Sequence, residues 1–326
     1  FEAAMDSQRE RARAASQFQM DGMTKVSVEE RTPFTGYQGL DGESTVLSLV
    51  ENDAETDTLT EGTQGLVVLD STPFYAESGG QVGDRGTFSW SGGSFEVTDV
   101  QYLAHKVIAH AGRVISGTLK KGQKVSCLVN GESRASTAAN HSATHLLHAA
   151  LRDVLGNHVQ QKGSLVNAER LRFDFSHGEA VSAADIDKVE QIVNRQIREN
   201  NDVSTELMNL VDARKAGAAA LFGERYEDNV RVVGMGDFSL ELCGGTHVRR
   251  TGDIGNFRVV AESGIAAGVR RLEALTGEAA RVYGVNESAT LSPISSLLKT
   301  GRSDVEERAA SLAGRVRELE RKVEQL

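Results

Sequence analysis

The chain has 326 residues, 39% of them hydrophobic and 25% charged, the balance of an ordinary folded protein long enough for two or three domains. Its formal net charge of −10 argues against generic charge-driven binding to nucleic acid, without excluding a local basic surface. No apolar run approaches the roughly 20 residues needed to cross a bilayer, no secretory signal opens the chain, and the two cysteines, Cys127 and Cys243, argue against a disulfide framework and for a reducing cytoplasm.

Residues 1–22 read as the end of a helix from an upstream domain: Met5, Ala12, Ala15 and Phe18 recur near helical spacing among Arg9, Arg11 and Arg13. After Asp21-Gly22 the texture turns to short β-rich runs separated by glycine turns. Thr45 to Val50, Gly65 to Asp70, Phe95 to Val100 and Gln123 to Val129 predict a small barrel or sandwich over residues 23–130. Cys127 falls in an apolar strand and is expected to be core.

From Glu132 to Leu155 the period becomes helical. Ala139, Leu146, Leu147, Ala150, Leu151 and Val154 form an apolar stripe, and Gly156 stands where a terminating glycine belongs. Strands around Leu165 to Phe175 follow, then a helix from about Ala183 to Asn200 capped by Ser182 with Asp185 three residues on. Strand-like runs at Val230 to Val233 and Phe257 to Val260 complete an α+β sheet domain over residues 131–290. In residues 291–326, Val305, Ala309, Leu312, Val316, Leu319, Val323 and Leu326 make an a/d heptad seam, with Ser303 and Glu306 as a capping box at its start. The expected class is therefore α+β: a small β-barrel, a two-layer α/β core and helical ends that both look cut.

Residues 140–148 read Asn-His-Ser-Ala-Thr-His-Leu-Leu-His. On a helix His141 and His145 lie one turn apart on one face, their side-chain origins about 6 Å apart, so both imidazoles can reach one metal ion. His148 shares the face, but its rise of about 10 Å from His141 is too great to share that metal. Alone, such a pair is a weak signal, more often polar or core histidine than metal ligand. The second half comes at Glu241-Leu242-Cys243-Gly244-Gly245-Thr246-His247, where two glycines let a thiolate and an imidazole converge from one tight loop. His141, His145, Cys243 and His247 form a three-nitrogen, one-sulfur set suited to tetrahedral Zn2+. The alternative for Cys243 is a buried apolar thiol. Four protein ligands leave no open position for water, which favours a structural or orienting metal; a displaceable ligand would make it catalytic.

These two motifs together resemble the editing domain of alanyl-tRNA synthetases. Supporting stretches are Thr-Pro-Phe-Tyr-Ala-Glu-Ser-Gly-Gly-Gln at 72–81, Leu-Arg-Phe-Asp-Phe at 171–175, Ala-Leu-Phe-Gly-Glu-Arg-Tyr at 220–226 and Gly-Ile-Ala-Ala-Gly-Val-Arg-Arg at 264–271. The resemblance covers essentially the whole chain. Free-standing editing proteins and the editing domain of threonyl-tRNA synthetases share the two histidine motifs, but the N-terminal helical run and the C-terminal heptads resemble the full synthetase. The resemblance implies a hydrolase of tRNA(Ala) mischarged with serine or glycine, within an enzyme whose upstream domain attaches alanine in an ATP-dependent reaction. It implies zinc on His141, His145, Cys243 and His247, editing roles for Thr144 and Gln161, a cytoplasmic location and homo-oligomers formed through the coiled coil.

Chemically, Thr144 lies between the two helix histidines, so its hydroxyl can face the metal side and read the amino-acid moiety; its bland alternative is a threonine bonded back to the carbonyl of Asn140. Gln161 can both donate and accept, and so could hold water or the ester carbonyl, or be a surface amide. The glycines of the Glu77 to Gln81 loop read as turns beside the acceptor end. Lys162, Arg172, Arg249 and Arg250 are phosphate contacts or solvated surface. Arg249, Arg250, Arg258, Arg270 and Arg271 are likewise a local basic patch or scattered cations. Two other classes of function compete: a zinc-stabilised tRNA-binding and dimerisation module without turnover, and a general zinc hydrolase. The second is weakened because no glutamate follows His141 to act as general base.

Overall fold

The computed structural model describes residues 26–219 and 227–325. The helical run within 1–22, the 220–226 stretch and the last heptad position, Leu326, lie outside the described residues.

Nine strands come first: β1 (Asp41–Glu51), β2 (Ala54–Thr56), β3 (Thr58–Thr60), β4 (Gln64–Leu69), β5 (Gly86–Trp90), β6 (Gly93–Tyr102), β7 (Ile108–Ser116), β8 (Thr118–Lys120) and β9 (Lys124–Val129). The order β1-β4-β7-β6-β5-β9 closes through antiparallel pairing of β1 with β9, giving a six-stranded barrel. Alternation explains it: along β9, Val125, Cys127 and Val129 are buried while Lys124, Ser126 and Leu128 are exposed. Phe74, Phe88, Phe95, Leu49, Leu69 and Ile108 fill the interior. Cys127 is buried among them, and burial pushes its thiol up to about 11.

Helix α1 (Gly131–Leu155) leaves the barrel directly. Asn130 caps it by accepting from the Ser133 amide, and Gly156 ends it at φ +111°. Strands β10 (Gln161–Val166) and β11 (Leu171–Ser176) form a hairpin, followed by α2 (Ala183–Glu199), β12 (Val203–Asn209), the short α3 (Leu210–Lys215), β13 (Asn229–Met235), β14 (Ser239–Leu242), β15 (Phe257–Ala266) and β16 (Val269–Thr276). Four of these make the antiparallel sheet β10-β11-β16-β15, and β12-β13-β14 make a smaller one. The apolar stripe of α1 packs with Phe173, Phe175, Val189, Val193, Phe257 and Leu272 as one core. The Ser182 cap of α2 forms as expected, its hydroxyl accepting from the Asp185 amide at 3.1 Å.

Two more helices, α4 (Gly277–Leu298) and α5 (Val305–Glu324), follow. Helix α4 runs unbroken through residue 290, where the sequence reading divides core from tail. The Ser303–Glu306 capping box is not made: Asp304 occupies the cap position without a side-chain bond, because Ser303 is taken into a preceding 3-10 turn. Helix α5 buries none of its residues, and the heptad positions Val316, Leu319 and Val323 are exposed. No helix among the described residues is long and apolar enough to cross a membrane.

Candidate metal centre and adjoining pocket

An amphipathic helix normally turns its polar face to water. Helix α1 does not: every residue from Thr137 to His148 is buried, including Asn140, His141, Ser142, Thr144, His145 and His148. The loop before β5, strand β14 and the loop after it cover that face, and each polar group on it needs a partner. Arg134 supplies the anchor at the barrel end. Its Nε donates to both oxygens of buried Asp84 at 2.9 and 3.1 Å, and its remaining nitrogens donate to the carbonyls of Gly36 and Pro73 at 3.0 and 2.8 Å. Further along, the loop before β5 straps the barrel to β10. Gly79 and Gly80 adopt φ of +59° and +85°, Val166 N donates to Gly80 O at 2.7 Å, and Val82 N donates back to Val166 O at 3.0 Å. A side chain on Gly80 would stand 2.7 Å from the Ser164 carbonyl oxygen, so only glycine allows this approach.

The strap delivers Gln81 to the helix, and β14 delivers Cys243 and His247 on the loop that follows it. His141, His145, Cys243 and His247 then offer one donor atom each, all within 4.8 Å of one another. Tetrahedral zinc with bonds of about 2.3 Å to sulfur and about 2.05 Å to nitrogen holds sulfur about 3.6 Å from each nitrogen and the nitrogens about 3.3 Å from one another. Cys243 Sγ lies 3.5 Å from His141 Nε2 and 3.3 Å from His247 Nε2. His145 Nε2 is buried without a hydrogen-bond partner among the described residues, as is His148 Nε2, but only His145 has its free nitrogen within the cluster. The donor set therefore fits zinc in chemistry, and its two sulfur–nitrogen distances match those of a tetrahedral site.

What surrounds the four residues fixes their orientation. His141 Nδ1 donates to Gln81 Oε1 at 2.7 Å, His145 Nδ1 donates to Glu241 Oε2 at 2.6 Å, and His247 Nδ1 lies 3.2 Å from Ser142 Oγ. Each of the three rings thus has Nδ1 engaged and Nε2 left for the centre, the arrangement that sets tautomer and aim in metal sites. Gln81 is itself fully buried and held, accepting from Thr246 N and donating to Thr246 Oγ1, both at 2.9 Å. Glu241 also accepts from His148 Nδ1 at 2.7 Å, which gives that third histidine a supporting place outside the cluster. Burial raises the Glu241 carboxyl, but the two imidazoles outweigh it and hold the group below the ordinary range. Burial likewise opposes ionisation of Cys243, and the three facing histidines reverse it, holding the thiol well below its usual value. Gln81, Glu241 and Ser142 are supporting residues that the motif reading did not assign. The signal for Glu241 was a lone acid on an apolar strand two residues before Cys243; nothing short of the fold connects Gln81 to His141.

Thr144 and Gln161, expected on different elements, come together in one pocket of about 80 Å3. His141, His145, Cys243, Tyr75, Ser78 and Gly244 also line it. The Thr144 hydroxyl donates to the Asn140 carbonyl at 2.9 Å, so its proton is committed and its oxygen can only accept from a ligand. The arginines do not form an unopposed basic patch. Arg250 faces Asp202 at 3.3 Å, Arg258 faces Glu190 and Glu287 at 3.3 and 3.4 Å, and the Nε atoms of Arg270 and Arg271 donate to Glu262 and Asp174, both at 2.6 Å. Arg249 instead borders a groove of about 820 Å3 beside His247, while half-buried Arg172 lies 3.9 Å from Asp174.

Comparison with known proteins bears on both halves of the chain. Residues 1–133 match the family described as tRNA synthetases class II (A), and residues 230–273, which carry Cys243 and His247, match the threonyl and alanyl tRNA synthetase second additional domain. An alanine--tRNA ligase of Nitrosomonas eutropha is 52% identical over 324 residues, 99% of this chain and 37% of that relative. Alanine--tRNA ligases of Idiomarina loihiensis and Shewanella loihica are each 51% identical over all 326 residues, which cover 38% and 37% of their lengths. The chain thus spans a little over a third of the curated relatives it matches.

Proposed function

The chain belongs to the alanyl-tRNA synthetase family, and we propose that this region is an editing hydrolase that cleaves the ester joining serine or glycine to the terminal adenosine of tRNA(Ala). A pocket built for alanine cannot sterically refuse glycine, and one added hydroxyl gives only about a hundredfold discrimination against serine, so a second, hydrolytic site is needed for accuracy. The observation that carries this reading is the small pocket in which Thr144 and Gln161 sit beside the His3Cys cluster.

His141, His145, Cys243 and His247 would hold Zn2+, which in a closed four-ligand site supplies rigidity and a fixed positive charge beside the substrate. Thr144, its proton given to Asn140, accepts a hydrogen bond from the substrate's ammonium or seryl hydroxyl. Gln161 accepts from the attacking water through its carbonyl and donates to the ester oxygen through its amide. Water adds to the ester carbon, the bond to the ribose oxygen breaks, and that oxygen leaves as a hydroxyl with the proton shed by the water. A cytoplasmic location follows from this substrate, and the exposed heptad face of α5 fits pairing with a second chain in a homo-oligomer. The closed ligand set favours one other reading, a zinc-stabilised tRNA-binding module without turnover.

Thr144→Val and Gln161→Leu separate the two. Each removes hydrogen-bonding atoms beside the reacting ester, and hydrolysis of Ser-tRNA(Ala) is expected to fall roughly tenfold or more in each while zinc content is unchanged. Zinc lost together with activity would assign both residues to the scaffold, and absence of hydrolysis in the unmodified protein would leave the binding module.

A further inference from the structure

Beside the metal pocket lies a second cavity of about 510 Å3, lined by Arg31, Pro33, Phe34, Tyr37, Tyr75, Tyr102, Ser78 and Gly244. Tyr75, Ser78 and Gly244 line both cavities, so the two share a wall. Their sizes differ in a telling way. The inner pocket of about 80 Å3 has room only for a group as small as an aminoacyl moiety, whereas the outer one falls in the range of about 300–1,000 Å3 typical of sites for larger organic ligands. The outer cavity is also aromatic, and two of its rings are open to solvent: Tyr37 is 50% exposed and Tyr102 42%. Its wall is tied to the metal loop. The Tyr37 hydroxyl donates to Gly244 O, and the Tyr37 ring lies 4.4 Å from the guanidinium of Arg231, which donates to the carbonyls of Cys243 and Gly245 at 2.9 Å each.

We propose that this aromatic chamber receives the adenine of the terminal nucleoside, with Tyr102 stacking on the base, so that the ester lies at the shared wall of Tyr75, Ser78 and Gly244 and the amino acid enters the metal pocket. This rests on the editing reading above. Every base offers a π-face, and stacking on an exposed aromatic ring binds a nucleoside without reading the sequence before it. Tyr102 suits that role: it ends β6, and its ring remains accessible at the cavity. Tyr37, bonded to Gly244 and packed on Arg231, ties the opposite side to the ligand loop.

The test uses the whole chain with zinc bound, its Tyr102→Ala and Tyr102→Phe variants, and 3′-serylamino-3′-deoxyadenosine as a hydrolysis-resistant probe. Loss of one stacking partner predicts roughly five- to a hundredfold weaker probe binding for Tyr102→Ala, while Tyr102→Phe stays within about twofold of the unmodified protein. The same probe with an abasic sugar should bind the unmodified protein and Tyr102→Ala equally. Equal binding of the adenine-containing probe by the unmodified protein and Tyr102→Ala would overturn the proposal, as would an equal effect of the substitution on the abasic probe. Hydrolysis of Ser-tRNA(Ala), measured in parallel, separates the two claims. Tyr102-dependent binding without hydrolysis refutes editing but keeps the nucleoside site, and hydrolysis with Tyr102-independent binding does the reverse.

Discussion

Two adjacent glycines in the ligand loop should respond in opposite ways to the same one-carbon addition. A Cβ built on Gly245 stands 2.1 Å from His141 Cε1, 2.4 Å from His141 Nδ1 and 2.9 Å from Gln81 Oε1. A Cβ built on Gly244 meets nothing within 4 Å. To accept Gly245→Ala, the His141 ring must retreat by more than 1 Å to reach an ordinary contact distance of about 3.5 Å. Metal–ligand distances tolerate about 0.2 Å, so His141 leaves the coordination sphere or drags its Gln81 partner with it. Loss of supporting contacts alone weakens metal sites by roughly 10- to 100-fold, and displacing a ligand as well places Gly245→Ala at or beyond the upper end, about 3 kcal/mol or more by RT ln 100. Gly244→Ala should keep the unmodified affinity to within about twofold. Competition for zinc against a chromophoric chelator at neutral pH reads both. Equal affinities for the two variants would show that His141 is not a ligand, or that the loop is not packed against it.

Glu241→Ala removes the acceptor shared by His145 and His148, and zinc affinity should fall roughly 10- to 100-fold in the same competition assay; unchanged affinity would mean that the ring of His145 is aimed by packing alone. His110, inside the barrel, donates through Nδ1 to Val67 O and accepts through Nε2 from Thr72 Oγ1, and burial lowers its pKa from 6.5 to about 4. The unfolded chain therefore takes up this proton first, so the barrel loses roughly 3 kcal/mol of stability as pH falls from 6.5 to about 4. Urea unfolding followed at the single Trp90, in β5, should show that slope in the unmodified protein and lose it in His110→Gln. Parallel pH profiles for the two proteins would refute the assignment.

Much of this was legible in the sequence because the signals were local. Short β-rich runs between glycine turns marked the barrel strands, as from Gln123 to Val129, and helical spacing put His141 and His145 on one face. The Cys-Gly-Gly-Thr-His loop carried its own geometry. The burial of the polar face of α1 was not legible, because an amphipathic pattern says which side is polar but not what covers it. Gln81 lies 60 positions before His141, and only the strap across β10 makes them neighbours. His148 could be excluded as a ligand by its rise along the helix, yet its real partner, Glu241, arrives from a strand 93 residues later. The capping box at Ser303 failed for a local reason: the 3-10 turn before α5 moved the cap to Asp304. The arginines from 249 to 271 left a basic patch and scattered cations equally open, because most of their carboxylate partners, on α2, β11, α4 and the residues before β12, are far away in the sequence; only Glu262 on β15, eight residues from Arg270, is near.

The most direct test is deacylation of seryl-, glycyl- and alanyl-tRNA(Ala) by the zinc-loaded chain, with Cys243→Ala alongside. Rapid loss of serine and glycine with alanine spared is expected, and both activities should be lost in the variant. A folded, zinc-loaded chain that leaves all three esters intact, or that hydrolyses alanine as fast as serine, would contradict the editing reading.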